Sequence, residues 1–159
     1  MGVAVAAREQ PGRLAVASPF ADLTFDDLNA RANQLVRALR ARGVGAGDAV
    51  SLLCSNRPEF VVAYLATLRG GMRLTPINTG LRTGEIRYIV EDSGAKALLA
   101  DGRHANAAAD ALRGLAGVGV RIGIGDPIHR FEAWDEVLAA ESRDDIDDLC
   151  RLQVKSRHV

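Results

Sequence analysis

Two hydrophobic periods alternate along the chain. Leu28, Ala32, Leu35, Val36 and Leu39 recur at helical spacing, which sets one apolar stripe against a core. Thr24 and Asp27 stand where a capping box would open this helix, with Asp in place of Glu, and Gly43 supplies a left-handed stop. Arg31, Arg37, Arg40 and Arg42 fall off the stripe, and the last two suit the negative end of the helix dipole. Ahead of this helix, Leu14–Ala17 reads as a short strand. Ser18-Pro19 breaks it, and Leu23-Thr24-Phe25 returns as a hairpin partner. The first dozen residues read as a loose lead-in.

After the Gly45–Asp48 turn the pattern shortens. Ala49–Leu53 is a mostly apolar strand, and Pro58 opens a helix through Phe60, Ala63, Tyr64, Ala66, Thr67 and Leu68 to Gly70-Gly71. Met72–Thr75 predicts a strand stopped by Pro76. Thr83 caps a helix carrying Ile86, Ile89 and Val90, closed by Asp92-Ser93-Gly94. Ala97–Ala100 is a strand ending at Asp101, Ala105–Leu115 an Ala-rich helix, Val120–Ile124 a strand and Phe131–Ala140 a helix holding Trp134. Short apolar strands alternating with helices define an α/β fold with a mostly parallel sheet and flanking helices. The period then fails. Asp144-Asp145-Ile146-Asp147-Asp148 reads as a solvated acidic linker, and Leu149–Val159 as a patternless tail that contributes little to stability. The expected division is an α/β portion over 1–140 and a linker with tail over 141–159.

Composition narrows the function classes. The 159 residues are 48% hydrophobic with 20 Lys+Arg against 20 Asp+Glu, so no net charge draws nucleic acid or an anionic membrane. Aromatics at 4% argue against a base-stacking platform. No run approaches the roughly 20 apolar residues of a transmembrane span. The amino terminus lacks a signal-peptide pattern, and Cys54 and Cys150 form no CxxC pair, so a cytoplasmic, reducing location is expected.

The candidate chemistry is sparse. Gly117-Val118-Gly119 and Gly123-Ile124-Gly125 sit inside and just after a strand instead of opening a helix, so they read as turns and not as a dinucleotide fingerprint. Cys54, at a strand-to-helix junction with no His at a telling spacing, reads as a buried structural thiol. His104, His129 and His158 share no metal-ligand spacing. In an open α/β sheet ligands collect beyond the carboxyl ends of the strands. Those ends carry Asn56-Arg57, Pro76-Ile77-Asn78 and Asp101-Gly102-Arg103, where Asn56 and Asn78 serve a ligand or their own turns. No catalytic, cofactor-binding or metal-ligating residue is assigned from the pattern.

Leu23-Thr24-Phe25, Leu28, Arg31-Ala32-Asn33, Leu35, Leu39 and Gly43-Val44 resemble the opening of the AMP-forming acyl-CoA synthetases, members of the adenylate-forming superfamily. Gly47-Asp48-Ala49-Val50, Asn56-Arg57-Pro58-Glu59-Phe60, Ala63, Leu65-Ala66, Pro76-Ile77-Asn78, Glu85, Tyr88-Ile89, Asp92-Ser93 and Ala95 continue the match in order. Gly71–Asn78 with Ile86–Val90 is most similar to fatty-acyl-CoA synthetases, although Arg73 within the apolar strand departs from the plainer pattern. The resemblance thins after Asp101, and Phe131–Ala140 resembles the segment that precedes the family's phosphate loop.

The resemblance implies an incomplete, N-terminal part of the synthetase fold. The parent would use ATP, Mg and CoA on a fatty acid. The Ser/Thr/Gly-rich loop ending in Pro-Lys and the adenylation lysine of the family have no counterpart after Ala140. The expectation is a truncated synthetase that is inactive alone, binds none of these cofactors tightly, and self-associates or is completed by the missing remainder. The alternative is a noncatalytic α/β module that binds a partner protein.

Overall fold

The computed structural model describes residues 2–146, so the tail from Leu149 lies outside the described residues. Among the described residues seven strands and six α-helices run in the order α1 (Val3–Glu9), β1 (Leu14–Val16), β2 (Leu23–Thr24), α2 (Phe25–Ala41), β3 (Ala49–Leu53), α3 (Pro58–Gly70) and β4 (Arg73–Pro76). They continue with α4 (Thr83–Asp92), β5 (Ala95–Asp101), α5 (Ala105–Ala111), β6 (Val120–Ile124), β7 (Glu132–Ala133) and α6 (Trp134–Ala139). β1 and β2 pair antiparallel, and the other five strands form one parallel sheet in the order β4-β3-β5-β6-β7.

A parallel sheet is buried on both faces, and the side-chain period of two divides the core accordingly. Val50 and Leu52 of β3, Ala97 and Leu99 of β5, and Val120, Ile122 and Ile124 of β6 pack with Leu28, Leu35, Leu39, Val62, Ala66 and Trp134. Ala49, Leu53, Leu98 and Ala100 face the other way, against Ile86, Val90, Ala108 and Leu112 of α4 and α5 and the turn after it. One face is thus covered by α2, α3 and α6, the other by α4 and α5.

Helix α2 starts as its sequence dictates. The Asp27 amide donates to Thr24 Oγ1 at 3.1 Å and the Thr24 amide donates to Asp27 Oδ2 at 3.3 Å. Gly43 follows at φ +82°, a conformation that glycine adopts without a Cβ clash.

Several boundaries differ from the sequence pattern. The supposed loose lead-in is helix α1, whose Ala6 and Ala7 are buried on packing against α2. At seven residues it is too short to hold alone, so tertiary packing decides it. The Phe131–Ala140 segment begins as strand β7, because Glu132 and Ala133 pair with Ile122 and Gly123 of β6. Arg42 holds Glu132 there through two hydrogen bonds of 2.9 and 2.8 Å. The Ala-rich helix ends at Ala111, four residues early, after a 3-10 turn over Gly102–His104. Thr83 is the first helical residue of α4 and Arg82 holds the cap position, its amide donating to Glu85 Oε2 at 2.8 Å. The anomalous Arg73 lies on the edge strand β4, exposed, with Nε donating to the Gly47 carbonyl at 3.1 Å. Pro76 is tolerated in the same strand because it is an edge.

Asp145 is no free member of an acidic linker. Arg69 is buried between α3 and α2, donating to Asn33 Oδ1 at 2.7 Å, Asn29 Oδ1 at 2.7 Å and the Asn29 carbonyl at 3.2 Å. The amide groups of Asn29 and Asn33 then donate to Asp145 Oδ1 at 2.8 and 3.2 Å. Arg37 donates to the carbonyls of Ser142, Asp144 and Asp145, and Gln34 to that of Glu141 at 3.1 Å. Residues 141–146 are therefore strapped along α2.

Two outcomes follow from these contacts. Thr24→Ala removes the cap acceptor and should cost about 1 kcal/mol, read as a fall of a few degrees in the thermal unfolding midpoint. The second concerns acid. Hydrogen bonds from Asn29 and Asn33 hold the Asp145 carboxyl below its ordinary 3.8, those from Thr24 lower Asp27, and that from Arg42 lowers Glu132. A depressed carboxylate contributes stability above its unfolded pKa and loses it as pH falls through the folded one. The midpoint should therefore drop as pH falls from about 5 to about 3. Asp145→Asn should lower it at neutral pH and converge with the parent in acid. A constant gap at all pH values contradicts the assignment.

Candidate functional site

The strand order reverses at β3. The chain leaves β3 for β4 on one side, then crosses back to place β5 on the other. Such a switch point opens a crevice beyond the carboxyl ends of the strands. Here it is a hollow of about 590 Å³. Its walls are Cys54, Ser55 and Asn56 after β3, Ile77, Asn78 and Thr79 after β4, Arg103 and His104 after β5, and Phe20 from the β1–β2 loop.

Asp101 organises the crevice. Its side chain is fully buried, and its carboxylate accepts from the Ser55 amide at 2.7 Å and the Arg103 amide at 3.0 Å. One carboxylate thus ties the loop after β3 to the loop after β5. Gly102 lies against the Asp126 backbone so closely that a Cβ there would fall 2.6 Å from its carbonyl oxygen. The guanidinium of Arg57 stacks on the Phe20 ring at 4.3 Å and binds both oxygens of Glu59 at 3.2 Å. Gly125, at φ +74°, sits on that guanidinium, where a Cβ would come within 3.2 Å. The loops after β3, β5 and β6 and the β1–β2 loop are therefore in mutual contact.

Ser55, His104 and Asp101 invite a nucleophile reading. Ser55 Oγ is 3.4 Å from His104 Nε2, and Asp101 Oδ1 is 3.8 Å from the same nitrogen. A relay needs the carboxylate on one ring nitrogen and the hydroxyl on the other. With both facing Nε2, the imidazole cannot take the serine proton while Asp101 orients it. The cluster is polar and ordered, but it is not a hydrolase triad.

Of the residues at the strand ends, Asn78 plays the turn role: its Oδ1 accepts from the Gly80 amide at 2.8 Å. Asn56 lines the crevice. Gly123 lies within β6 under Ile128 and Phe131, and Gly125 takes its positive φ, so both are structural. Ser55 and Phe20 carry no mark in the sequence, and His104 stands out there only as a histidine without metal-ligand spacing. The one available signal is Asp101 followed three residues later by His104 just beyond an apolar strand.

Cys54 is buried as expected. Burial and the negative charges of Asp101 and Glu59 push its thiol up to about 12, which disfavours the thiolate that attacks electrophiles. In a Cys150→Ser background, reaction with dithionitrobenzoate near pH 8 should be at least about 100-fold slower in the native state than in denaturant. Comparable rates would contradict a buried, inert thiol.

The α/β architecture is that of the N-terminal part of adenylate-forming ligases. An anthranilate CoA ligase in complex with anthranoyl-AMP superposes with a TM-score of 0.84 at 23% identity, covering 92% of this chain and 29% of its own. A fatty acyl CoA synthetase from Mycobacterium tuberculosis superposes at 0.76 with 27% identity, covering 92% and 29%. In sequence, residues 3–153 match the model of the AMP-binding enzyme family. The chain belongs to that family. A medium/long-chain-fatty-acid–CoA/3-oxocholest-4-en-26-oate–CoA ligase from Mycobacterium marinum is 35% identical over 102 residues, which is 64% of this chain and 18% of that ligase. Tyrocidine synthase 3 of Brevibacillus parabrevis is 42% identical over 77 residues, 48% of this chain and 1% of the synthase. The chain thus spans less than a fifth of these curated relatives and under a third of the two structures. Among the described residues no helix is long and apolar enough to cross a membrane.

Proposed function

We propose that this chain is the N-terminal α/β portion, over 1–140 with the segment 141–159 following, of an ATP-dependent fatty-acyl-CoA synthetase of the cytoplasm. The identity to the mycobacterial fatty-acid–CoA ligase carries the reading. In the whole enzyme a fatty-acid carboxylate oxygen would attack the α-phosphorus of ATP and expel pyrophosphate. The thiol of CoA would then attack the acyl carbon and expel AMP.

The crevice residues do not fit ATP with Mg, and no step is assigned to them. Phosphoryl chemistry needs preorganised donors around the transferred charge. The crevice loops Cys54–Arg57, Ile77–Gly80 and Gly102–His104 contain no Ser/Thr/Gly-rich run ending in Pro-Lys. The Asp101 carboxylate is taken up by backbone amides. Tyr64 and Leu68, one turn apart on α3 and 52% and 44% exposed, support self-association or pairing with the remainder of the enzyme.

The match to peptide synthetases supports a second reading in which the whole protein activates an amino acid. ATP–pyrophosphate exchange with fatty, aromatic and amino acids tests the proposal. The chain alone should give no exchange above a no-enzyme blank with any acid, and clear turnover from preparations free of host synthetase would overturn the inactive-portion reading. The coding sequence downstream decides the substrate class. A continuation resembling fatty-acyl-CoA synthetases supports the first reading, and one resembling a peptide-synthetase module replaces it with the second.

A further inference from the structure

On the α4–α5 face of the sheet, β6 is covered differently from its neighbours. Its alternation sends Val120, Ile122 and Ile124 to the opposite core and leaves Arg121 and Gly123 on this side. The connection from β6 to β7 contains no helix. A turn folds back over Gly123 instead, bringing the Ile128 and Phe131 side chains near it. Between that turn and the end of α5 lies a hollow of about 450 Å³, with Arg121, Arg113, His129 and Arg130 in its walls. Arg121 and Arg130 also line a second hollow of about 380 Å³.

The charge in this hollow is unbalanced. Arg113 is paired with Asp110 at 2.8 Å. Arg121 is half-buried, with Nε donating to the Val118 carbonyl at 3.4 Å. Among the described residues neither Arg121 nor Arg130 has a carboxylate partner; the nearby Glu132 is engaged by Arg42. Arg121, half-buried, is a partly desolvated guanidinium without an anion, which is unfavourable for the fold, while Arg130 is exposed at the rim of the hollow.

The backbone adds an independent sign. Phe131 N–H closes a turn onto the Ile128 carbonyl at 3.0 Å, and Arg130 occupies its third position at φ 65°. Among the described residues it is the one non-glycine with positive φ. That position favours Gly or Asn, and such strain persists where the side chain is needed.

We propose that Arg121 and Arg130, flanked by Arg113 and His129, form a binding site for a small phosphate-bearing dianion or polyanion. Guanidinium forks match phosphate oxygens bidentately, and two uncompensated cations match at least two negative charges. The walls hold no Phe, Tyr or Trp, so nothing stacks a nucleobase and single-stranded nucleic acid is disfavoured as the ligand. The site is separate from the carboxyl-edge crevice and independent of the synthetase proposal.

Inorganic pyrophosphate is the probe, titrated calorimetrically into the full chain at low salt. Saturable one-to-one binding is expected, weakening as salt rises. Arg130→Gly should lower affinity at least about tenfold while raising the thermal midpoint, because glycine fits that φ. This variant keeps the test clear even if Arg121→Ala proves unstable. Arg40→Ala, an exposed cation on α2, should leave binding unchanged. Absence of saturable binding at millimolar pyrophosphate overturns the site. Equal binding by Arg130→Gly, equal weakening by Arg40→Ala, or tighter capture of single-stranded RNA than of pyrophosphate would do the same.

Discussion

A parallel sheet cannot leave either face to water, and that constraint arranges everything else in this chain. The strands are short and apolar, so each face needs helices; the crossovers from β3 to β6 deliver α3, α4 and α5, while α2 precedes β3 and α6 follows β7. Helices α2, α3 and α6 close one side while α4 and α5 close the other. Because β4 and β5 are placed on opposite sides of β3, the covering helices diverge at the carboxyl edge. The crevice is a consequence of the topology before any side chain is chosen for it. Asp101 then fixes its shape, since a fully buried carboxylate is tolerable only with its oxygens satisfied, and the amides of Ser55 and Arg103 satisfy them from two different loops.

The polar cluster on the far side of α2 obeys the same rule with more partners. Arg69 brings a charge into the space between α2 and α3, and Asn29 and Asn33 answer it with their oxygens while offering their amide hydrogens to Asp145. Each asparagine is used in both directions. Such a network gives direction to a contact that apolar packing alone leaves free to slide, and it explains why residues 141–146 follow α2 and do not stand away in water.

These two clusters also mark where the sequence ceases to be legible. Elements whose signals are local were readable: the Leu28–Leu39 stripe, the Thr24–Asp27 cap, the Gly43 stop and the apolar strands at β3, β5 and β6. The resemblance from Leu23 to Asp101 extended that to family. Elements that exist through distant pairing were not readable. Helix α1 forms because α2 lies beside it, and β7 is extended because β6 supplies its partners and Arg42 holds Glu132. The Asn29–Asp145 hydrogen bond spans 116 positions in the chain, and Asp145 within an acidic run carries no mark that distinguishes it from its neighbours. The crevice lay in between. Its loops were located by the rule for strand ends, but Phe20, Ser55 and His104 meet there only through tertiary folding.

The distinction between a cluster and a mechanism matters most at Ser55, His104 and Asp101. Residue types alone would suggest acyl transfer, and the three do converge at a switch point, where α/β folds place ligands. Direction decides against it. Asp101 is turned to the backbone amides it must satisfy, so only its weaker, 3.8 Å approach reaches the imidazole, and it reaches the nitrogen that the serine also faces. Freeing Asp101 to orient His104 from the other nitrogen would orphan the Ser55 and Arg103 amides and loosen the two loops that form the site. The carboxylate cannot serve as both the crevice's fastener and the orienting arm of a catalytic histidine. Family membership and the fold place this edge where ligands gather.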